Sequence, residues 1–573
     1  MQRREASGRR MLPTLPDDLI ETIFADVFRR HRVGATTTFF ALSKTWARWV
    51  VSQLSVGTNG ERLNRRQMDA IVRAVVLRQN VFLTGPGGVG KSHVARLIIK
   101  HLRVLHPDTT WQARDAAPEW QPRIHPRVMV CAFTATAAEN CNGRTLHSRF
   151  CISTSLQPVS APRIVYEFSK KEKLEIWGAE ALAEEEEARS RARGAGRGED
   201  GEQWASIDRI TLNEALVAQL KVLRVLVIDE VSMCGKGMLE LLDQCLRQAR
   251  GDERPFGGVQ LIAIGDFLQI PAINDDFCFQ SPVWATARLA AVELTECLRV
   301  DPTERRFYEV CQRMRFGRLR REDVLYLLQA SRQSGHAECA LFKDNRLAHA
   351  ANVRYLATNP NPPRHYRAVD TIWEGSARIQ HPPRGLTAPK SADLVATFKV
   401  GATVVCSKNV NRQGRCVLAN GKVGRVVNLY DDHIRIELLN DHHAPTGRFV
   451  EVERQAHVNE ARIDDINYGF QRSQFPLKVG FGRTMHKVQG ATLCHLVDMD
   501  LHTKYGSEVK YGMFYVGWSR VKRPSQVRIL NPADFLATAQ QCCRADPKAV
   551  AFYEAMAGLP PCQYVTHVSE TVM

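Results

Sequence analysis

Lys91 and Ser92 close the run Gly85-Pro-Gly87-Gly88-Val-Gly90, which follows the apolar stretch Val81-Phe-Leu and leads into Val94-Ala-Arg-Leu-Ile-Ile. The glycines let the backbone curl so that consecutive N–H groups point inward around an anion, and a helix opening at Lys91 adds its positive dipole end there. Gly85, Gly87, Gly88 and Gly90 are thus candidate phosphate-binding positions. Lys91 is placed to reach the terminal phosphates of ATP, and the Ser92 hydroxyl to ligate Mg²⁺. A glycine turn that binds nothing has no use for Lys-Ser at its helix start.

Hydrolysis further requires a metal carboxylate and a base. Val225-Leu-Val-Ile runs directly into Asp229-Glu230. Four apolar residues in a row read as a strand buried on both faces of a parallel sheet. The two carboxylates then fall at its carboxyl end, where open α/β sheets place ligands. Asp229 suits the Mg²⁺ shell, and Glu230 suits orientation or deprotonation of the attacking water. A third strand, Val259 to Ile264, again delivers polar groups in Gly265-Asp266-Phe-Leu-Gln269. Three strands of this kind predict an ATPase built on a parallel sheet.

The elements that hold these groups need several domains, and 573 residues provide for them. No apolar run reaches membrane length, which argues against a membrane partner. Lys and Arg outnumber Asp and Glu by 78 to 61, a net charge of +17 that favours a polyanionic partner. The fifteen cysteines include no C-x2-C pair and look like reduced structural thiols rather than a disulfide framework or zinc site.

Further motifs sharpen this reading. Leu63-Asn64-Arg-Arg-Gln67 precedes the phosphate loop. Val128-Met-Val-Cys-Ala-Phe-Thr134-Ala-Thr136 and Gly143-Arg-Thr-Leu-His147-Ser148 follow it. Thr484-Met-His486-Lys-Val-Gln489-Gly and Tyr515-Val-Gly-Trp-Ser-Arg520 stand near the end. With Glu293-Leu-Thr-Glu-Cys-Leu-Arg299 and Leu418-Ala-Asn-Gly421, this series resembles the superfamily 1B DNA helicases, and within them the petite-integration-frequency (Pif) group, over about residues 60–530. The resemblance implies that Gln67 reads the adenine, that Gln269 couples the γ-phosphate state to the DNA site, and that Arg299 and Arg520 are arginine fingers. It also implies that Thr134, Thr136, His147, Ser148, Thr484, His486 and Gln489 contact single-stranded DNA. Departures from the family pattern are Val300 after Arg299, Val488 before Gln489, and Ala137-Ala138 after Thr136. None of them touches the phosphate-transfer set.

The expected fold is α/β, with two RecA-like parallel-sheet motor lobes, a small inserted β-barrel and an N-terminal helical unit. Residues 61–300 form the first lobe, interrupted by a charged Gly/Ala-rich stretch at about 179–203 that cannot bury a core. Residues 301–400 and 476–530 form the second lobe, 401–475 the barrel, and 531–573 a tail. Leu15-Pro16 with Leu42-Ser43-Lys-Thr-Trp46 makes residues 1–55 resemble an F-box, which implies a Skp-type adaptor and a cullin ubiquitin ligase as partners. The expected function is an ATP-dependent helicase moving 5′ to 3′ on single-stranded DNA, acting at junctions or forks in repair, recombination, replication or telomere maintenance. The alternatives are a ubiquitin-ligase adaptor that uses the helicase body for DNA targeting, or an F-box helicase of 3′–5′ polarity. A nuclear location is expected, with a mitochondrial leader in the basic first ten residues as the alternative.

Overall fold

The computed structural model describes residues 63–111, 123–134, 137–138, 141, 143–150, 152, 163–166, 209–212, 214–273, 275–332, 334–375, 377–384, 386–389, 392–412, 415–440, 442–463, 466–500 and 509–557. The F-box-like segment, the charged stretch at 179–203 and Thr136 lie outside the described residues.

The first lobe is a six-stranded parallel sheet. Its strands are β1 (Val81–Thr84), β2 (Val128–Ala132), β3 (Arg144–Thr145), β4 (Val225–Asp229), β5 (Gln260–Ile264) and β6 (Ala290–Glu293), ordered β6-β1-β5-β4-β2-β3. The uninterrupted apolar run of β4 follows from burial on both faces. Leu226 and Ile228 pack on one side with Met129, Leu261 and the helix Lys236–Arg250. Val225 and Val227 pack on the other with Ile262, Val130 and the helix Lys91–Leu105. A sheet clamped in this way holds its carboxyl-terminal ends in fixed register, and the polar residues sit at those ends.

The second lobe is a four-stranded parallel sheet ordered Gly482–Thr484, Cys339–Phe342, Val497–Met499, Val527–Ile529. Its core takes Phe307, Val310 and Met314 from the helix Arg305–Arg315 and Tyr515, Val516 and Trp518 from the helix Met513–Trp518.

Between the halves of this lobe lies antiparallel structure, and its extent corrects the expected boundaries. The insertion begins near residue 364 and ends near 479. Arg364–Arg367 pairs with Val395–Phe398, Val369–Glu374 pairs with Ile466–Gln474, and Leu477–Val479 pairs with Thr403–Cys406. Residues 364–398, expected in the second lobe, therefore belong to the insertion. The expected barrel is a five-stranded antiparallel sheet running Pro445–Glu453, His433–Leu439, Val423–Leu429, Thr403–Cys406, Leu477–Val479, beside a four-stranded one. Alternate residues Val404, Cys406, Val426, Ile434, Ile436 and Val452 fill its core, as period-2 patterning requires.

The tail is also more than an appendage. Helix Pro532–Cys542 sends Phe535 and Ala539 into the second-lobe core, while helix Pro547–Met556 sends Ala549 and Tyr553 into the first. No helix among the described residues is long and apolar enough to cross a membrane.

Candidate nucleotide and nucleic-acid site

The phosphate loop leaves β1 at Thr84 and returns as the helix Lys91–Leu105. Two of its glycines are obligatory. Gly85 has φ +133° and a side chain there would lie 2.2 Å from the Leu294 carbonyl, while Gly88 has φ +89° and would meet the Arg299 Cβ at 2.5 Å. The loop is thus sealed against the segment after β6, where Leu298 N–H and Arg299 N–H donate to the Gly88 carbonyl at 2.8 and 3.1 Å. Lys91 Nζ donates to the Gly85 and Pro86 carbonyls at 2.6 and 3.0 Å. Burial pushes its ammonium down to about 8. A lysine held over carbonyls in a dry pocket is short of negative charge, which phosphate oxygens would supply. Ser92 is exposed at the helix start.

At the end of β4 both oxygens of Asp229 are engaged. Glu230 N–H donates to Oδ1 at 2.9 Å and the Cys141 thiol to Oδ2 at 3.1 Å. Burial, and then the Glu230 charge, raise the Asp229 carboxyl to about 6. Glu230 sits at φ +54°, ψ +46°, a left-handed conformation that costs a non-glycine residue about 1–3 kcal/mol. A serine hydroxyl and a carboxylate are hard oxygen donors, the chemistry that suits Mg²⁺.

The second lobe closes on this set. Gly87 N–H donates to the Tyr515 hydroxyl at 2.6 Å. A side chain on Gly87 would come within 3.0 Å of the Arg520 guanidinium. Arg520 is 1% exposed and its Nε donates to the Val516 carbonyl at 3.0 Å. Arg299 Nη1 donates to the Ser519 carbonyl. Burial, and then the Arg520 charge, push Arg299 down to about 9, and burial also lowers Arg520. Two buried guanidiniums, both lowered by burial, make a pocket suited to several negative charges. Gln269, 3% exposed, has a buried Oε1 without a protein hydrogen-bond partner. The residues present therefore fit a magnesium nucleotide.

Gln67 is tied by the Asn64 N–H, which donates to its Oε1 at 3.0 Å, and its Nε2 lies 3.5 Å from where a Gly90 side chain would begin. Leu298 flanks the same glycine at 3.1 Å and is 63% exposed. It is an apolar surface beside Gln67 that the sequence reading did not single out. Tyr515 and Cys141 were missed as well. Tyr515 had the signal of lying five residues before Arg520, whereas Cys141 had none.

The expected DNA-contacting residues divide between the lobes. Thr134 follows β2 and its Oγ1 accepts from Ala137 N–H at 3.1 Å. His147 and Ser148 lie on the short helix Leu146–Phe150, with the His147 ring edge-on to Phe133. Thr484 and His486 end and follow a second-lobe strand. His486 Nε2 is buried without a hydrogen-bond partner, and burial, with Lys510 nearby, pushes its imidazole down to about 4. Gln489 departs from its expected place: it is 2% exposed and reaches the carboxylate of Glu230 rather than an open surface. Three buried residues outside the expected set, Asp266, Arg315 and Tyr553, form a network behind the loop.

Comparison with known proteins agrees with this geometry. Residues 190–323 match the family described as PIF1-like helicase. The chain is 26% identical over 518 residues to human ATP-dependent DNA helicase PIF1, covering 88% of this chain and 66% of that relative's length. The crystal structure of Pif1 helicase from Candida albicans superposes with a TM-score of 0.60 at 24% identity, covering 87% of this chain and 100% of that one. Pif1 helicase from Bacteroides in complex with ADP-AlF3 and single-stranded DNA gives 0.59 at 22%, covering 87% and 98%. The chain has the fold of the Pif1 helicases.

Proposed function

We propose that this chain is a Pif1-like, ATP-dependent DNA helicase that moves 5′ to 3′ along single-stranded DNA. The observation that carries the reading is the closure of both lobes on one site, with Lys91, Asp229 and Glu230 from the first lobe, Arg520 from the second, and Arg299 bonded to the second lobe's Ser519. A nucleotide site shared by two lobes converts the loss of a phosphate into relative motion of the lobes. Bound ATP with Mg²⁺ would supply the reacting phosphoryl group and its charge compensation. Ser92 and Asp229 would hold the metal, and Gln67 would set the base position.

In that reading Lys91 and the N–H groups of the loop bind the terminal phosphates. Glu230 accepts a proton from the attacking water, its carboxylate held by Gln489. Arg299 and Arg520 neutralise charge that builds as the bond breaks. Thr134, His147 and Ser148 on one lobe, with Thr484 and His486 on the other, would grip the strand backbone, and Thr136 is proposed with them from its place in the motif alone.

The net charge of +17 supports a polyanionic track. The likeness to relatives named ATP-dependent DNA helicases supports DNA as the track; action at forks or junctions, work in repair or recombination, and a nuclear location are proposed with it. Strand displacement on duplexes carrying only a 5′ or only a 3′ tail tests the reading. Unwinding confined to the 5′-tailed duplex is expected, and unwinding of the 3′-tailed one alone would overturn the polarity. The F-box-like segment is a separate proposal. Capture of a purified Skp-type adaptor by the full chain, lost on deletion of residues 1–55, would support it, and no capture would end it.

A further inference from the structure

The tail helix Pro547–Met556 is anchored by an apolar face, with the exposed ion pairs Lys548–Asp276 and Glu554–Arg318 at its rim. Phe552 stacks on Phe279 with ring centroids 4.4 Å apart and meets Phe82 and Phe267 edge-on, and Ala549 is fully buried beside them. A phenylalanine at position 553 would serve that anchoring equally well. Tyr553 instead brings a hydroxyl to a place where every hydrogen-bonding capacity of a phenol is used. It lies 2.5 Å from Thr84 Oγ1 and 3.2 Å from Asp266 Oδ1, and it accepts from Phe267 N–H at 3.1 Å.

Its partners are the functional ends of the sheet. Thr84 is the last residue of β1, immediately before Gly85 of the phosphate loop. Asp266 and Phe267 open the short run from β5 to Gln269. Asp266 is fully buried and is gripped by Arg315 through Nε at 3.1 Å and Nη2 at 3.0 Å, while Arg315 Nη1 reaches Glu293 Oε1, at the end of β6, at 3.0 Å. The Arg315 guanidinium lies 4.7 Å over the Tyr553 ring. Arg315 ends a helix whose other buried side chains belong to the second-lobe core. A buried ion pair is an expensive way to join two bodies compared with apolar packing. This one links the ends of β5 and β6 to the lobe that must move, and Tyr553 adds the end of β1 between them.

We propose that Tyr553 is a positioning residue for ATP hydrolysis, whose hydroxyl locks the ends of β1 and β5 together so that the phosphate loop and Gln269 answer as one unit to motion of the second lobe through Arg315. The role rests on the ATPase reading above. Burial holds the phenol far above its usual range, with the Asp266 charge adding to this, so it stays a neutral donor at every working pH.

The test compares the full-length chain with Tyr553→Phe and Phe552→Leu. ATP hydrolysis with and without single-stranded DNA, ATP KM, DNA affinity and Tm are measured for each. Tyr553→Phe should lower the DNA-stimulated kcat by about tenfold to a hundredfold. Its KM and DNA affinity should stay within about twofold and its Tm within about 4 °C. Phe552→Leu, which loosens the same helix and leaves the hydroxyl in place, should lower Tm and keep kcat. Wild-type kcat in Tyr553→Phe overturns the proposal, and so does an equal loss of kcat in Phe552→Leu, which would make the helix a structural anchor only. An unsubstituted chain whose ATPase ignores DNA would instead sink the helicase reading, and this role with it.

Discussion

Gln489 Nε2 donates to Glu230 Oε2 at 3.2 Å and to Ser232 Oγ at 3.2 Å, joining the second-lobe stretch expected to touch DNA to the carboxylate expected to activate water. The bond crosses the cleft between the lobes. A side chain on Gly490, the next residue, would also come within 3.0 Å of Glu230 Oε1. A shift of this stretch on gripping DNA must therefore be felt at the base, which gives DNA stimulation of hydrolysis a physical route.

The first prediction follows from that bond. Gln489→Leu should keep ATP binding and lower the basal rate by no more than about threefold while cutting DNA stimulation by about tenfold, because the charge-assisted bond to Glu230 is lost and little volume changes. Steady-state ATPase titrated with single-stranded DNA reads this directly. Stimulation equal to that of the unsubstituted chain would show that the contact carries no signal.

Glu230→Gln should separate binding from chemistry. The amide keeps the shape and can still bond to Gln489, but it cannot take a proton from water. Hydrolysis should fall by roughly three orders of magnitude, with nucleotide and DNA affinities held within about threefold. Lys91→Ala should lose both ATP affinity and turnover, because nothing else at that point of the loop carries positive charge to the terminal phosphates.

How much of this was legible in the sequence depends on how local each signal is. The phosphate loop and Asp229-Glu230 could be read because their chemistry is written in neighbouring residues, and the buried strands before them carry unbroken apolar runs. The insertion boundary could not. Val369–Glu374 alternates only weakly, and its partner Ile466–Gln474 lies about a hundred residues away. Tyr553 and Arg315 belong to no local motif, and only the fold brings them to Asp266. Gln489 was read from its neighbours in the chain, whereas its side chain answers to Glu230, 259 positions earlier.

DNA binding should be sequence-tolerant and salt-sensitive. A chain of +17 net charge gripping a strand backbone releases counterions from each phosphate it neutralises. For about four such phosphates on a single strand, affinity should fall roughly fiftyfold between 50 and 200 mM salt. Fluorescence anisotropy with two oligonucleotides of unrelated sequence checks both points. A flat salt response, or a strong preference for one sequence, would contradict a backbone grip.

The two arginines give the last prediction, because the structure treats them differently. Arg520 is held by its own helix, with Nε on the Val516 carbonyl and Nη2 on Ser519 Oγ at 2.7 Å, so its direction is fixed within the second lobe. Arg299 leaves the segment sealed to Gly88 and crosses to the Ser519 carbonyl, so its direction depends on how the lobes meet. Replacing either by Ala should lower kcat by about a thousandfold, the range of an arginine that neutralises a phosphoryl transition state. Lysine should restore little at either position, because a point charge lacks the planar fork. The two should differ in lobe closure. Arg299→Ala removes a bond between the lobes and should leave the cleft more open in solution scattering without DNA, whereas Arg520→Ala should not. If both variants scatter like the unsubstituted chain, the Arg299–Ser519 contact does not hold the lobes together, and the other contacts across the cleft, Gly87–Tyr515 and Gln489–Glu230 among them, carry closure.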